Sequence, residues 1–209
     1  HRRAEATERT AIARLGRVSE TGSLRAMARR LDGSDQMLVE AKGVDGAYPL
    51  IGQLVLEDGA TLDQAVLAGP GAAVDPILLE RLGLKRGDRF RLGTTEVEIR
   101  AVIKTEPDKI ADRLSFGPRV MISVDTLTAS GLADIGSLAR WRYAVVLPEA
   151  ERQADVNLVT ARRDVLRALP EAGFTVVDRR NPSPQVTRTL ERVRQFLTAL
   201  FAGGILPGR

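Results

Sequence analysis

The hydrophobic and polar positions of this chain follow two different periods, one typical of strands and one of helices. Apolar residues at every second position, Phe90 and Leu92 and then 97, 99, 101 and 103, flank the turn Gly93-Thr94-Thr95 and predict a half-buried β-hairpin. A second and longer hairpin is predicted from Val18–Arg30 and Gln36–Val44, because the segment between them contains Asp-Gly, a strong turn signal. Gly22 interrupts the first of these strands, which predicts a bulge or a weak point in the pairing.

Helices are predicted where apolar residues recur every three or four positions between recognisable caps. The clearest is the segment from Asp75 to Gly83, which has an Asp N-cap, a proline in first position and a glycine after its end. The remaining predicted elements are helices at Ala4–Leu15 and Ala154–Leu169, a helical turn at Leu62–Leu67, strands at Gln53–Leu56, Val120–Val124, Tyr143–Leu147 and Phe174–Val177, and a short helix capped by Asp125 and ending at Gly131.

The last predicted helix runs from Ser183 to about Leu206. Its first half has one apolar face, and from Phe196 onward it is uncharged and apolar nearly all round. Such a segment either begins a membrane helix or packs on the core of its own domain. The uncharged run is shorter than the roughly 20 residues that cross a bilayer, so the pattern alone leaves both readings open.

The elements suggest a mixed architecture in which short strands and frequent glycines between residues 45 and 139 separate two α/β parts. The segment from 140 to 181 reads as a β-α-β unit, and the first 44 residues read as its counterpart, whose opening strand would lie before His1. The predicted fold class is therefore α+β, an α/β sandwich that is split by a β-rich insertion.

Composition excludes several classes of function. The chain is 44% apolar and 28% charged, as is usual for a globular domain, and its net charge of +4 is spread along the sequence. Aromatic residues make up only 4%, which disfavours a nucleic-acid partner. There is no cysteine, and the single histidine is His1, so thiolate chemistry, histidine triads and histidine metal clusters are excluded. We expect no cofactor and no metal ion.

The candidate sites are few. Glu106, Asp108 and Asp112 form an acidic cluster, but the basic residues between them indicate a solvated loop instead of a cation site. In the same loop, Leu114 and Phe116 are apolar and would either contact a partner or pack into the core of the insertion. The remaining aromatic positions, Tyr48, Trp141 and Tyr143, are interpreted as strand packing.

Four stretches of the sequence together resemble a known family. They are Val44-Asp45-Gly46-Ala47-Tyr48-Pro49-Leu50, GAAVDPILLERLGLKRGDRFRLG from Gly71, LSFGPRVMIS from Leu114 and GSLARWRYAVVLP from Gly136. In this order they are similar to the extracytoplasmic (periplasmic) domain of FtsX/MacB-type ABC transporter permeases, in particular the YbbP-like branch. The likeness runs from about Arg17 to Phe201.

The resemblance implies a division of the chain into four segments. Residues 1–44 and 140–181 would form a porter-like α/β subdomain, 45–139 a β-rich, Sabre-like insertion, and 182–209 a stalk helix leading into a truncated transmembrane helix. In the family this domain lies between the first and second membrane helices of the permease. The apolar face of the stalk, Val186, Leu190, Val193 and Leu197, would couple membrane and domain.

The resemblance also implies a function and partners. The domain would be non-catalytic and would couple ATP hydrolysis by a separate cytoplasmic ABC ATPase subunit to envelope or lipid-related export, by mechanotransmission. The permease would lie in the inner (cytoplasmic) membrane, with this domain on the periplasmic side. The resemblance also implies a dimer of permeases, and we expect no nucleic-acid partner. The alternative is a soluble extracytoplasmic module that binds a lipid or apolar ligand in the insertion.

Overall fold

Eight strands and four helices are formed by the residues that the computed structural model describes, which are 2–107, 117–134, 136–148, 155–169 and 173–177. In chain order they are α1 (Ala6–Ala13), β1 (Arg17–Arg30), β2 (Gln36–Val44), β3 (Val55–Leu56), β4 (Gly71–Val74), α2 (Pro76–Leu82), β5 (Arg89–Leu92), β6 (Thr95–Thr105), β7 (Arg119–Ser123), α3 (Val124–Ala129), β8 (Arg140–Val146) and α4 (Asp155–Ala168). A short 3-10 turn (Glu57–Gly59) and a π-helical turn (Asp63–Leu67) lie between β3 and β4. The chain divides into two compact units, 1–151 and 152–209.

Six strands of the first unit close into a ring. Neighbours around it are β1, β2, β7, β4, β6 and β5, and β5 returns to the end of β1. The pairs β2–β7 and β4–β6 are parallel and the other four are antiparallel. Because β1 is 14 residues long, its first half extends beyond the ring and pairs there with β8.

The two predicted hairpins are confirmed. Strands β1 and β2 pair without interruption from Thr21 opposite Val44 to Arg29 opposite Gln36, and β5 and β6 pair across the predicted Gly93 turn. The predicted bulge at Gly22 is wrong, because the register runs through it on both sides. A Cβ atom at Gly22 would lie 2.8 Å from the ring of Trp141, so the glycine makes room for that ring.

The core lies on both faces of the ring because side chains alternate along each strand. Inside the ring, fully buried residues include Ala72, Val74, Val120 and Ile122, together with Phe90 and Leu92. The outer face of β4 and β7 is covered by the segment that follows β2. Its contacts form a second cluster of Val44, Tyr48, Leu56, Ala65, Val66, Ala73, Ala101, Ile103 and Met121. This second layer explains why β4 and β7 are buried along their whole length.

The helix caps follow the sequence in one case and not in another. At α2 the Asp75 carboxylate accepts the backbone N–H of Ile77 at 3.1 Å, and Gly83 adopts the left-handed conformation with φ 59°, as predicted. At α3 the predicted cap Asp125 is wrong. The Ser123 hydroxyl accepts the N–H of Thr126 at 3.0 Å, so the N-cap lies two residues earlier and the helix begins directly after β7.

In the second unit, α4 forms at the predicted position, whereas the predicted strand Phe174–Val177 is wrong because those residues adopt no strand. The fold class, α+β, is confirmed. The division into porter-like and inserted segments stays a prediction. The sheet itself is continuous across the predicted boundaries at residues 44 and 140, since β2 pairs with β7 and β8 pairs with β1.

Candidate functional site

A cluster of charged side chains is buried where the connection between β6 and β7 begins and ends. The Glu106 carboxylate accepts hydrogen bonds from Lys42 Nζ at 2.6 Å, from Arg119 Nε at 2.9 Å and from the Tyr48 hydroxyl at 3.3 Å. Arg119 Nη1 also pairs with Glu40 at 2.7 Å. The Glu106 side chain is fully buried and that of Lys42 is 4% exposed. We call Glu40, Lys42, Tyr48, Glu106 and Arg119 the buried charge cluster.

Strand register brings these residues together. Glu40 and Lys42 lie two positions apart on β2, so both face outward from the ring, and Arg119 stands directly opposite Glu40 on the parallel strand β7. Glu106 comes directly after the end of β6. Tyr48 reaches the cluster from the covering segment, and its ring centre lies 4.4 Å from Lys42 Nζ, within cation–π range.

The cluster is electrically balanced, with two carboxylates and two cations. Burial by itself lowers the pKa of Arg119, but the charges of Glu106 and Glu40 outweigh it and the pKa is raised. The guanidinium of Arg119 is therefore held in its charged form. Since these side chains are closed off from solvent, the arrangement suits a clamp that holds the two ends of the β6–β7 connection on β2.

A second polar group attaches the residues before α1 to the sheet. Arg3 donates to both oxygens of Glu20 on β1, at 2.7 and 2.8 Å. The Tyr143 hydroxyl on β8 accepts the backbone N–H of Ala4 and donates to Glu20, both at 2.8 Å. The Arg3 guanidinium also lies 5.2 Å from the centre of the Trp141 ring. We call Arg3, Ala4, Glu20, Trp141 and Tyr143 the N-terminal latch.

Charge and burial shift the titration of the latch in a consistent way. Partial burial raises the pKa of Glu20, but the hydrogen bonds from Arg3 and Tyr143 lower it by more, so the net shift is downward. The pKa of Tyr143 is raised, first by burial and then by its hydrogen bond to the Glu20 carboxylate. Glu20 is thereby held ionised and Tyr143 neutral, which are the states that their hydrogen bonds require.

The residues predicted to contact a partner or to couple the stalk lie outside the described residues. They are Leu114, Phe116, Val186, Leu190, Val193 and Leu197, and the acidic Asp108 and Asp112 lie there as well. The reading of Glu106 as part of a solvated loop is wrong, because its side chain is buried among two cations. Within the described ranges, no group of three or more His, Cys, Asp or Glu side chains is arranged to hold a metal ion.

Sequence reasoning missed both polar groups. Tyr48 and Tyr143 do pack against strands, but their hydroxyls each join an ion pair. One signal could have drawn attention to the cluster: Lys42 stands between the small residues Ala41 and Gly43 near the end of a predicted strand. A lysine there must either reach solvent or find a buried partner.

Two solved structures of transporter domains have folds similar to that of this chain. A solved structure of the extracellular domain of the noncanonic ABC-type transporter YknZ from Gram-positive bacteria matches with a TM-score of 0.58, at 15% identity, over 83% of this chain and 86% of that one. The periplasmic region of MacB from Actinobacillus actinomycetemcomitans matches with a TM-score of 0.53, at 12% identity, over 82% and 75%. These likenesses show the shared fold.

Sequence similarity points in the same direction. The chain is 29% identical over 111 residues to the uncharacterized ABC transporter permease YbbP of Escherichia coli (strain K12). The resemblance to FtsX/MacB-type permease domains is confirmed. The aligned stretch is 53% of this chain but only 13% of YbbP, so the matched region spans a small part of that relative's length. No family model matches the chain. None of the helices in the described ranges has the length and apolar content that a membrane crossing requires.

Proposed function

We propose that this chain serves as a non-catalytic extracytoplasmic domain of an ABC transporter permease. The observation that carries the proposal is the agreement of two independent likenesses, of sequence to YbbP and of fold to the YknZ and MacB domains. The chemistry of the chain supports a non-catalytic role. Its only histidine is His1, it has no cysteine, and its buried charge cluster is closed to a substrate.

Sidedness is the first property to test, and the chain offers a matched pair of positions for it. Leu138 is 88% exposed and the next residue, Ala139, is fully buried. In the complete permease, with any other cysteines replaced, we expect Leu138→Cys to react with a membrane-impermeant maleimide in intact cells and Ala139→Cys to stay unlabelled until the protein is denatured. Labelling of Leu138→Cys only after the cells are opened would place the domain in the cytoplasm and refute the proposal.

The proposed role is mechanical. ATP hydrolysis by a separate cytoplasmic ABC ATPase would move the membrane helices of a permease dimer, and the predicted stalk that includes Val186, Leu190, Val193 and Leu197 would pass that motion to the domain. A continuous helix suits this role because its backbone hydrogen bonds keep it stiff along its axis. Envelope or lipid-related export is the proposed process, in line with the family that the chain resembles.

A proline in the stalk tests the mechanical role. Val193→Pro removes a backbone hydrogen bond and bends the predicted helix, so we expect it to abolish transport while the ATPase still copurifies with the permease. Val193→Ala, which keeps the helix, is the control. Transport at the rate of the control in the proline variant would refute mechanical coupling through the stalk. The alternative of a ligand-binding module predicts an apolar molecule retained through purification, which native mass spectrometry of the chain would detect.

A further inference from the structure

The N-terminal latch and the buried charge cluster are connected by a further carboxylate, that of Asp45. This residue follows β2 directly and reaches back to β1, where it accepts the Ser19 hydroxyl at 2.8 Å and the backbone N–H of Glu20 at 2.6 Å. It also accepts the backbone N–H of Ala47 at 3.1 Å. One carboxylate therefore fixes β1 and the start of the covering segment in a single arrangement.

The hydrogen bonds continue without a gap on both sides of Asp45. On one side, Glu20 contributes its backbone N–H to Asp45 and its carboxylate to Arg3 and Tyr143. On the other side, the backbone N–H of Tyr48 donates to the carbonyl of Asp45 at 3.2 Å, and the Tyr48 hydroxyl contacts Lys42 and Glu106. All of these residues lie in the first compact unit.

Paired strands lie at both ends of this series of hydrogen bonds. The latch acts on β1, which pairs with β2 over nine consecutive residue pairs, and the cluster acts on β2, β7 and the end of β6. The peptide groups that close the base of the β6–β7 connection are held in the same place. The Glu40 N–H donates to Pro118 at 3.0 Å, and the Asp75 N–H donates to Arg119 at 2.9 Å.

We propose that this network is a coupling route from the N-terminal segment to the base of the β6–β7 connection, and that Asp45 is the positioning residue that joins its two halves. The inference rests on the proposed function for the origin of the motion, since in that function the N-terminal segment follows the first membrane helix. Contiguous networks of hydrogen bonds and salt bridges are one physical carrier of coupling between separated sites. The base of the β6–β7 connection then responds to displacement of the N-terminal segment.

Amide hydrogen exchange on the full chain tests the route. The reporters are the backbone amides of Glu40 and Asp75. The reference is the Ile99 amide, which donates to the carbonyl of Asp88 at 2.9 Å outside the network and therefore reports global opening. We expect Arg3→Met to accelerate exchange of both reporters about fivefold or more relative to Ile99, in line with the usual size of site-to-site coupling. In an Asp45→Asn background the same substitution is expected to change that ratio by less than about twofold, because the junction is already broken.

Arg2→Met is the matched control. Arg2 forms an ion pair of similar length, 2.6 Å to Glu8, and both residues of that pair lie in the N-terminal segment. Equal effects of Arg2→Met and Arg3→Met, or an Arg3→Met effect that survives in the Asp45→Asn background, would overturn the route. The measurement needs neither membrane nor ATPase, so its failure leaves the permease assignment standing, whereas failure of the maleimide test leaves the network standing.

Discussion

Removing the charge of Glu106 is the strongest test of the buried charge cluster. Glu106→Gln keeps the side-chain volume but turns one acceptor oxygen into an NH₂ donor that faces Lys42 or Arg119, whose atoms now lie 2.6 and 2.9 Å from the carboxylate. The cluster then holds one carboxylate and two cations instead of two of each, and the Glu106 position is closed to water. Breaking a buried pair by removing one partner costs about 3–5 kcal/mol, a large part of the roughly 5–15 kcal/mol that stabilises an ordinary domain.

Urea denaturation followed by circular dichroism measures this loss. With a slope of roughly 2 kcal/mol per molar urea, the midpoint is expected to fall by about 1.5–2.5 M. The control is Glu96→Gln, which breaks the exposed ion pair to Arg91 at 3.1 Å and is expected to cost less than about 1 kcal/mol. The double variant Glu106→Gln/Lys42→Met should lose less than the sum of its parts, by about 1–3 kcal/mol. A Glu106→Gln variant as stable as the control would refute the clamp.

Three further outcomes are expected. Tyr48→Phe removes a hydroxyl that links Lys42 and Glu106 and should cost about 1–3 kcal/mol in the same urea assay. Gly22→Ala places a Cβ 2.8 Å from the ring of Trp141, so it should cost about 1–3 kcal/mol of stability. It should also shift the fluorescence of Trp141, the single tryptophan of the chain. An unchanged spectrum and melting temperature would contradict this packing. Hydrogen bonds from Arg2 and from the backbone N–H of Glu5 lower the pKa of Glu8 to about 2. The stabilisation that the Glu8 carboxylate contributes is therefore complete above about pH 4.5 and is lost as the pH falls toward 2. Glu8→Gln should remove this part of the acid sensitivity of α1, which hydrogen exchange measures.

The elements whose signals are local were the ones that could be predicted. Alternation identified the β5–β6 hairpin, and the Asp75 cap with Gly83 identified α2 almost to the residue, because turn and cap preferences depend only on nearby backbone geometry. Prediction failed where a local signal was ambiguous. Ser123 and Asp125 are both able to cap α3, and the choice depended on where β7 ends.

Neither polar network could be predicted, because its members are far apart in the sequence. Glu106 looked solvated among alternating charges, and only the parallel pairing of β2 with β7 placed Arg119 and Lys42 beside it. Likewise, Arg3 and Tyr143 share the carboxylate of Glu20 only because β8 pairs with the first half of β1.

The sequence by itself determined most of the strands and helices, the absence of histidine and cysteine chemistry within the fold, and a resemblance that sequence similarity and fold then confirmed. Tertiary structure alone decided that the strands close into a ring, that Gly22 makes room for the ring of Trp141, and that Asp45 reaches back to hydrogen-bond Ser19 and Glu20 on β1. The physical reason is that cap, turn and periodicity signals act over a few residues. Register between distant strands instead depends on which side chains can be buried together, and no short stretch of sequence contains that information.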